Sequence, residues 1–411
     1  MPKPSKNSRI APTHLVGALI ASGALFASQA HAMNGAQLGG YGIKNAGMGG
    51  ASVALPLDAS AAVNNPAGMA FVPQSFAINV LVFNGQSTAN SPAIPLPPPA
   101  PPGASIPAQT FSDNTTVSAP EGGANWVINP TMTAGISLSA SGAGVDFGKT
   151  LIPGMPAANV QASQKVAEII PSISWKVQPN LALGASVNFA TQQLNSQGLV
   201  ALTTTGPVEI PGYGTQTANG IGARLGVHWQ ASPELSVGAT YKFKTNMSQL
   251  GDYSKTILKY SDGKIDIPSE YGLGVAWKAS PAVTVAADYL RIEYGGVKVN
   301  QDPDGQGWKD QQVLRLGASW DLNPSWTLRG GVSTNTRQIE SDRAAQNITS
   351  PAVSNLAITA GATFKLDKTS DLSFSLEGNP STTLDGTGSS AGYSITGNRV
   401  TVVRFGYQRS F

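Results

Sequence analysis

Beyond residue 74, apolar residues alternate with small or polar ones through most of the chain, and one repeat punctuates them: Trp, three residues, Pro. It stands at Trp126 and Pro130, Trp175 and Pro179, Trp229 and Pro233, Trp277 and Pro281, and Trp320 and Pro324, using five of the seven Trp. A sixth, degenerate copy has Phe364, with Lys368 in the Pro place. Before Pro233 the apolar set is Ile221, Ala223, Leu225, Val227 and Trp229; after it come Leu235, Val237, Ala239, Tyr241 and Phe243. Period two gives a strand one apolar and one polar face. Pro is excluded from a paired central strand and suits a tight turn. Each copy therefore predicts a hairpin turning at its Pro. Six hairpins, one strand before them (residues 74–84) and one after (399–411) predict fourteen strands, an even number as in bacterial membrane barrels.

The constant offset of Trp126, Trp175, Trp229, Trp277 and Trp320 from their turns predicts a ring of indoles at one membrane interface. A second aromatic set, Phe189, Tyr241, Phe243 and Tyr289, lies about eight to ten residues past the Pro, a rise of roughly 20–25 Å on tilted strands. A soluble sandwich with core Trp accounts for neither the spacing nor the even count. One rim has short turns. The other carries long polar connections, expected at 85–123, 141–163, 191–218, 246–265, 295–309, 338–352 and 380–398. The first contains SPAIPLPPPAPPG, read as a stiff polyproline II spacer rather than a recognition arm.

Residues 34–73 refuse the pattern. They are rich in Gly and Ala, with only Lys44 and Asp58 charged, and show neither period two nor a helical stripe. With the wall made elsewhere, this stretch is expected to fold as a plug inside the lumen. Asp58 is placed to cap a short helix over 59–64, and Asn65 to cap the next turn with Pro66 at its first position. Gly47-Met48-Gly49-Gly50 imitates a phosphate loop, but no strand precedes it and no Lys-Ser/Thr follows.

Composition narrows the class. Lys3, Lys6 and Arg9, an apolar run from Leu15 to Phe26, and Ala30-His31-Ala32 read as a signal peptide cut after Ala32. Three regions follow: leader 1–32, hatch 33–73 and barrel 74–411. Removing the three leader cations from 26 basic residues matches them to the 23 acidic ones, which argues against nucleic acid. There is no Cys, and of three His only His228 lies outside the leader, so neither a disulfide framework nor a His-based metal site is expected. No cofactor is implied. Charged residues are 12%, about half the usual share, and no stretch after the leader reaches the length of a membrane helix.

The parity that points Leu and Val outward points Arg224, Lys242, Arg315, Arg329 and Arg404 inward, against Asp288. These cations either receive a carboxylate headgroup by charge-assisted bonding or pair with lumen acids and cap hatch carbonyls, the second reading being favoured. His228 faces the lumen near a turn and is read as structural.

The hatch residues Gly47-Met48-Gly49-Gly50-Ala51, Asp58-Ala59 and Asn65-Pro66-Ala67-Gly68-Met69 resemble those of the FadL/TodX family of outer-membrane transporters for long-chain fatty acids and aromatic hydrocarbons. So do the segments ASPELSVGATYK and LRLGASWDLNPSWTLRGGVS and the final alternating strand ending at Phe411. The resemblance implies an all-β, fourteen-stranded antiparallel transmembrane barrel with an N-terminal hatch in the lumen. It implies passive uptake of hydrophobic molecules, gating by the hatch at Gly47, Gly49, Gly50, Asp58, Asn65, Pro66, Ala67 and Gly68, and sideways exit through a kinked third strand. Gly135, Gly142 and Gly144 are the candidates for that kink. It further implies a monomer in the outer membrane of a Gram-negative bacterium, among lipid and lipopolysaccharide, delivered by the barrel assembly machinery through the Phe-ended strand. A general porin for polar solutes and an outer-membrane lipid hydrolase are the alternatives.

Overall fold

The computed structural model describes residues 37–96, 100–203 and 206–411, leaving out the side chains of residues 143 and 202. The leader and its cleavage site lie outside the described residues. Among those described, no helix is long and apolar enough to cross a membrane.

Fourteen antiparallel strands form the wall: β1 (Ser75–Ser91), β2 (Gln109–Asn129), β3 (Met132–Asp146), β4 (Gln161–Gln178), β5 (Leu181–Gln197), β6 (Gln216–Gln230) and β7 (Leu235–Lys242), then β8 (Glu270–Ser280), β9 (Val283–Ile292), β10 (Gln311–Asn323), β11 (Trp326–Asn335), β12 (Leu356–Lys365), β13 (Ser370–Asn379) and β14 (Ser394–Ser410). Each pairs with the next in sequence, and β14 pairs with β1 from Ser75↔Ser410 to Asn90↔Ser394, closing the barrel. The fold is the expected all-β barrel with fourteen wall strands.

The turns fall where the repeat predicts. Pro130, Pro179, Pro281 and Pro324 each sit between two strands, and each of these hairpins carries a register shift just before its Pro. In the degenerate sixth turn Asp367 does the work of Pro. Its carboxylate accepts from the Ser370 hydroxyl and amide and from Thr369, which hold it below the usual carboxylate range.

Outward parity holds: Trp175, Trp229, Trp277 and Trp320 are exposed on the outer face, and Trp126 is half-buried. The register corrects one spacing. Trp175 pairs with Leu183 and Trp229 with Val237, so Phe189 and Phe243 stand six residues above the Trp level. That is roughly 14 Å up a wall tilted by about 45°, less than counting from the Pro suggests. Phe189 nevertheless marks the upper edge of the apolar band. The next outward residue on β5 is Thr191, and on β6 Ile221 gives way to Asn219.

The first three loops and the last are shorter than expected because their strands run past the membrane, whereas those after β7, β9 and β11 are longer, at 243–269, 293–310 and 336–355. β1 reaches Ser91 and β2 begins at Gln109, so the first loop is 92–108 rather than 85–123. β14 likewise begins at Ser394, not at residue 399. Above the apolar band outward positions face water and are polar, while inward ones include Phe83, Phe111, Val117 and Ala119, so the apolar-outward alternation is lost although burial still alternates along β1 to its end. In the first loop Ile94–Pro95 pairs with Ser105–Ile106, so the described flanks double back as a small hairpin instead of extending as a rod. Residues 97–99, the centre of the expected polyproline run, lie outside the description.

The apolar band yields a stability test. Leu225 is half exposed midway up the outward face of β6, and Ile221 stands at the band's upper edge. Leu225→Arg should destabilise the barrel by about 2–4 kcal/mol and Ile221→Arg by about 0–1 kcal/mol, measured by urea unfolding in liposomes.

Candidate functional site

Residues 37–73 fill the lumen. They contain one helical turn, α1 (Ile43–Ala46), and 3-10 turns at Ala61–Val63 and Pro66–Phe71. Asn65 caps the last of these as expected: its side-chain oxygen accepts from the Ala67 amide, and Pro66 takes the first position. The helix expected at 59–64 is only the single turn Ala61–Val63, and Asp58 serves it indirectly, accepting from the Ser60 amide at 2.8 Å. After α1 the chain reverses through Gly49 and Gly50, both at positive φ, a conformation Gly adopts without the Cβ penalty.

Enclosed backbone without secondary structure needs outside partners, and the wall supplies them. Arg404, Arg315 and Arg224 donate to the carbonyls of Gly40, Gly50 and Asn64 at 3.0–3.1 Å. Asp288 accepts the amides of Ser52 and Val53 at 2.6 and 3.0 Å, and Thr359 accepts that of Gly49 at 2.7 Å. From the hatch, Lys44 reaches Asp371 at 2.7 Å, and Asn65 donates to the carbonyls of Val53 and Val227. Where hatch backbone meets wall, the inward positions are Gly. A Cβ on Gly226 would strike the Asn65 side chain, and one on Gly317 the Met48 carbonyl; Gly184, Gly238 and Gly331 face hatch backbone in the same way. Sequence reading missed this belt, although its inward Gly follow the strand parity.

The candidate headgroup cations are all engaged. Arg224 also meets Glu270 at 3.1 Å, Lys242 pairs with Glu168 at 3.0 Å, and Arg329 donates to the Thr363 hydroxyl. Arg404 lies between Glu121 at 3.3 Å and Glu377 at 3.6 Å. The expected basic excess against Asp288 alone is thereby corrected: Glu121, Glu168, Glu270, Asp371 and Glu377 also project inward. Glu121 falls within 85–123, the stretch expected as loop, where strand parity assigns no inward face. His228 is buried and stacks on Phe71 with ring centroids 4.7 Å apart, and its Nδ1 meets no partner. Among the described residues no group of three His, Cys, Asp or Glu is arranged to hold a metal ion.

Two cavities lie above the hatch. A vestibule of about 570 Å³ is bounded by Gln37 and Tyr41 below and by residues such as Leu258, Trp308 and Ile348 from the loop side. A second cavity of about 430 Å³ is set in the wall. Its lining joins lumen-facing Leu38, Phe83 and Ala119 to outward-facing Ile169 and Phe189, so it reaches from the lumen to the outer face. The strand register explains it. β3 pairs with β4 along its whole length, but β2 pairs with β3 only from Asn129↔Met132 up to Gly122↔Leu138. Above that level the two strands part. Gly142 and Gly144 lie in the parted segment, and Gly142 lines the cavity; Gly135 lies in the paired segment, against Met69 of the hatch. The cavities share Ser141 and Val166. There the buried Tyr41 hydroxyl hydrogen-bonds Ser141, and burial, with Glu168 nearby, pushes that hydroxyl above its ordinary range.

A closed fourteen-strand barrel, plugged by its own N-terminal segment and breached at one seam of its wall, defines a class of outer-membrane transport protein. A family model described as outer membrane protein transport protein (OMPP1/FadL/TodX) matches residues 23–378, and the chain belongs to that family. Among solved structures, the toluene transporter TodX of P. putida superposes with a TM-score of 0.68 at 17% identity, covering 91% of this chain and 99% of that one. The toluene transporter TbuX of Ralstonia pickettii gives 0.67 at 17% identity, with the same coverage of 91% and 99%. A Pseudomonas aeruginosa FadL homologue gives 0.67 at 17% identity over 92% of this chain and 100% of that one. No curated protein sequence matches the chain. At these identities the structural likeness shows the fold.

The Gly belt makes hatch docking testable. Gly317→Leu should leave the barrel assembled, with heat-modifiable migration on gels, while displacing the hatch. The readouts are protease cleavage within residues 37–73 and a several-fold rise in single-channel conductance.

Proposed function

We propose that this protein takes up small hydrophobic molecules across the outer membrane by passive transfer, receiving them in the vestibule and releasing them sideways through the wall cavity into the membrane. The observation that carries this reading is the cavity at the parted β2–β3 seam, which joins lumen to outer face while the hatch remains docked beneath it. Apolar cargo gains nothing from a water-filled channel and loses nothing by entering lipid. Aromatic hydrocarbons and long-chain fatty acids are the substrate classes to test first, since two of the similar folds are toluene transporters and another is a FadL homologue.

On this reading the leader 1–32 is cleaved, residues 33–73 are the hatch and 74–411 the barrel. The protein works as a monomer among outer-membrane lipid and lipopolysaccharide, assembled through its Phe411-ended strand, and performs no catalysis. Gly47, Gly49, Gly50, Asp58, Asn65, Pro66, Ala67 and Gly68 set how firmly the hatch sits and so how easily its first residues yield. A general porin is disfavoured by the number of bonds holding the hatch. A hydrolase is disfavoured by His228, stacked on Phe71 with no acid on Nδ1.

Filling the wall cavity tests the route. Ala140→Trp, at a buried lining position on β3, should lower toluene uptake by whole cells at least fivefold with the barrel still assembled. Unchanged uptake would overturn the lateral path. Asn65→Ala removes the cap and both bonds to Val53 and Val227, a loss of about 1–3 kcal/mol. It should lower uptake of the same substrate without preventing assembly.

A further inference from the structure

Resting on that reading, the geometry points to a headgroup site at the outer mouth of the wall cavity, where Lys165 holds the acidic head of a single-chain amphiphile while its tail leaves for the membrane. Among the described residues Lys165 is the one charged residue lining the cavity. Among the described residues it makes no ion pair or hydrogen bond, in contrast to Arg224, Lys242, Arg315 and Arg404 in the lumen. On β4, buried Val166, Glu168 and Ile170 face inward, so Lys165, Ala167 and Ile169 face outward. These three are only half-exposed, whereas Val187 and Phe189 on the outer face of β5 are exposed. They therefore sit in a recess of the outer surface.

The recess is graded in polarity. Its lower part is Ala167, Ile169 and Phe189, level with the upper edge of the apolar band. Its upper part is Lys165, Gln193 and a Thr191–Asn219 pair hydrogen-bonded at 3.0 Å. Lys165 pairs across β3 with Gly142, which leaves the ammonium group room on that side. It stands four residues above Ile169, roughly 9 Å nearer the outer surface on a tilted strand. A tail lying against Ile169 and Phe189 places a carboxylate at the height of that ammonium. A neutral hydrocarbon leaving by the same mouth has no use for it. The site thus separates two substrate classes at the exit rather than in the lumen.

Uptake of oleate and of toluene by the same cells tests this, with Lys165→Glu and Lys165→Arg variants and the assembled barrel quantified by heat-modifiable migration. Lys165→Glu should lower oleate uptake about tenfold and leave toluene uptake unchanged, and Lys165→Arg should retain both. Oleate uptake unaffected by Lys165→Glu overturns the site. So does an equal fall for both substrates, the result expected if Lys165 instead seats a lipid phosphate that orders the wall. A wild-type protein that carries toluene but not oleate overturns the headgroup site and leaves the uptake reading standing; one that carries neither removes both.

Discussion

A lipid interior offers nothing to an unpaired backbone amide, and this structure is arranged around that demand. Closure of β14 on β1 removes the sheet edges that a linear array of fourteen strands would expose. The same demand fixes where the wall can part. The β2–β3 ladder ends at Gly122↔Leu138, and the register carries that level across to Ile169 and Phe189, the upper edge of the apolar band. Lower down, the freed amides would face acyl chains. At this height they lie beside a cavity and near the headgroup region, where irregular backbone is tolerated.

The plug repeats the problem inside the barrel. Residues 37–73 contain one helical turn and two 3-10 turns; turns within the segment pair many of their amides and carbonyls, and the wall has to supply partners for others. The wall meets them with Arg404, Arg315, Arg224 and Asp288, each at a different part of the hatch. A hydrogen bond to a charged group contributes about 1.5–3 kcal/mol, whereas the ion pairs behind it, such as Arg224–Glu270, are weak evidence of stability because both partners were desolvated. The lumen charges are therefore best understood as serving the hatch backbone. Glu270, Glu121 and Glu377 balance cations that this service requires, and Glu168 is matched by Lys242.

Most of the wall was legible from period-two alternation and the Trp repeat, because inside the apolar band the solvent on the two faces differs. Legibility stopped where that difference stopped. The upper half of β1, and β2 down to Glu121, read as loop because the outward residues there are polar and the apolar ones, such as Phe83, Val117 and Ala119, turn inward. The Asn65 cap was readable because it is local, its carboxamide bonding Ala67 two residues on. The Gly belt and the wall cavity were not readable, since they depend on which strand faces which hatch residue, with separations such as that between Arg404 and Gly40.

A docked plug and a parted wall are consistent with each other for apolar cargo. Opening a water-filled route past the hatch would mean breaking several buried, charge-assisted bonds together. Parting β2 from β3 above Gly122 breaks none of those, since the ladder already ends there. What stands between vestibule and wall cavity is narrower: the first hatch residues, with Leu38 packed against Leu81, Phe83 and Ala119, and Tyr41 bonded to Ser141. A hydrophobic molecule can replace Leu38's contacts with its own at little net loss, because one apolar surface substitutes for another. A polar solute cannot. Selection for apolar cargo thus follows from what the passing molecule must displace, before any binding residue is invoked.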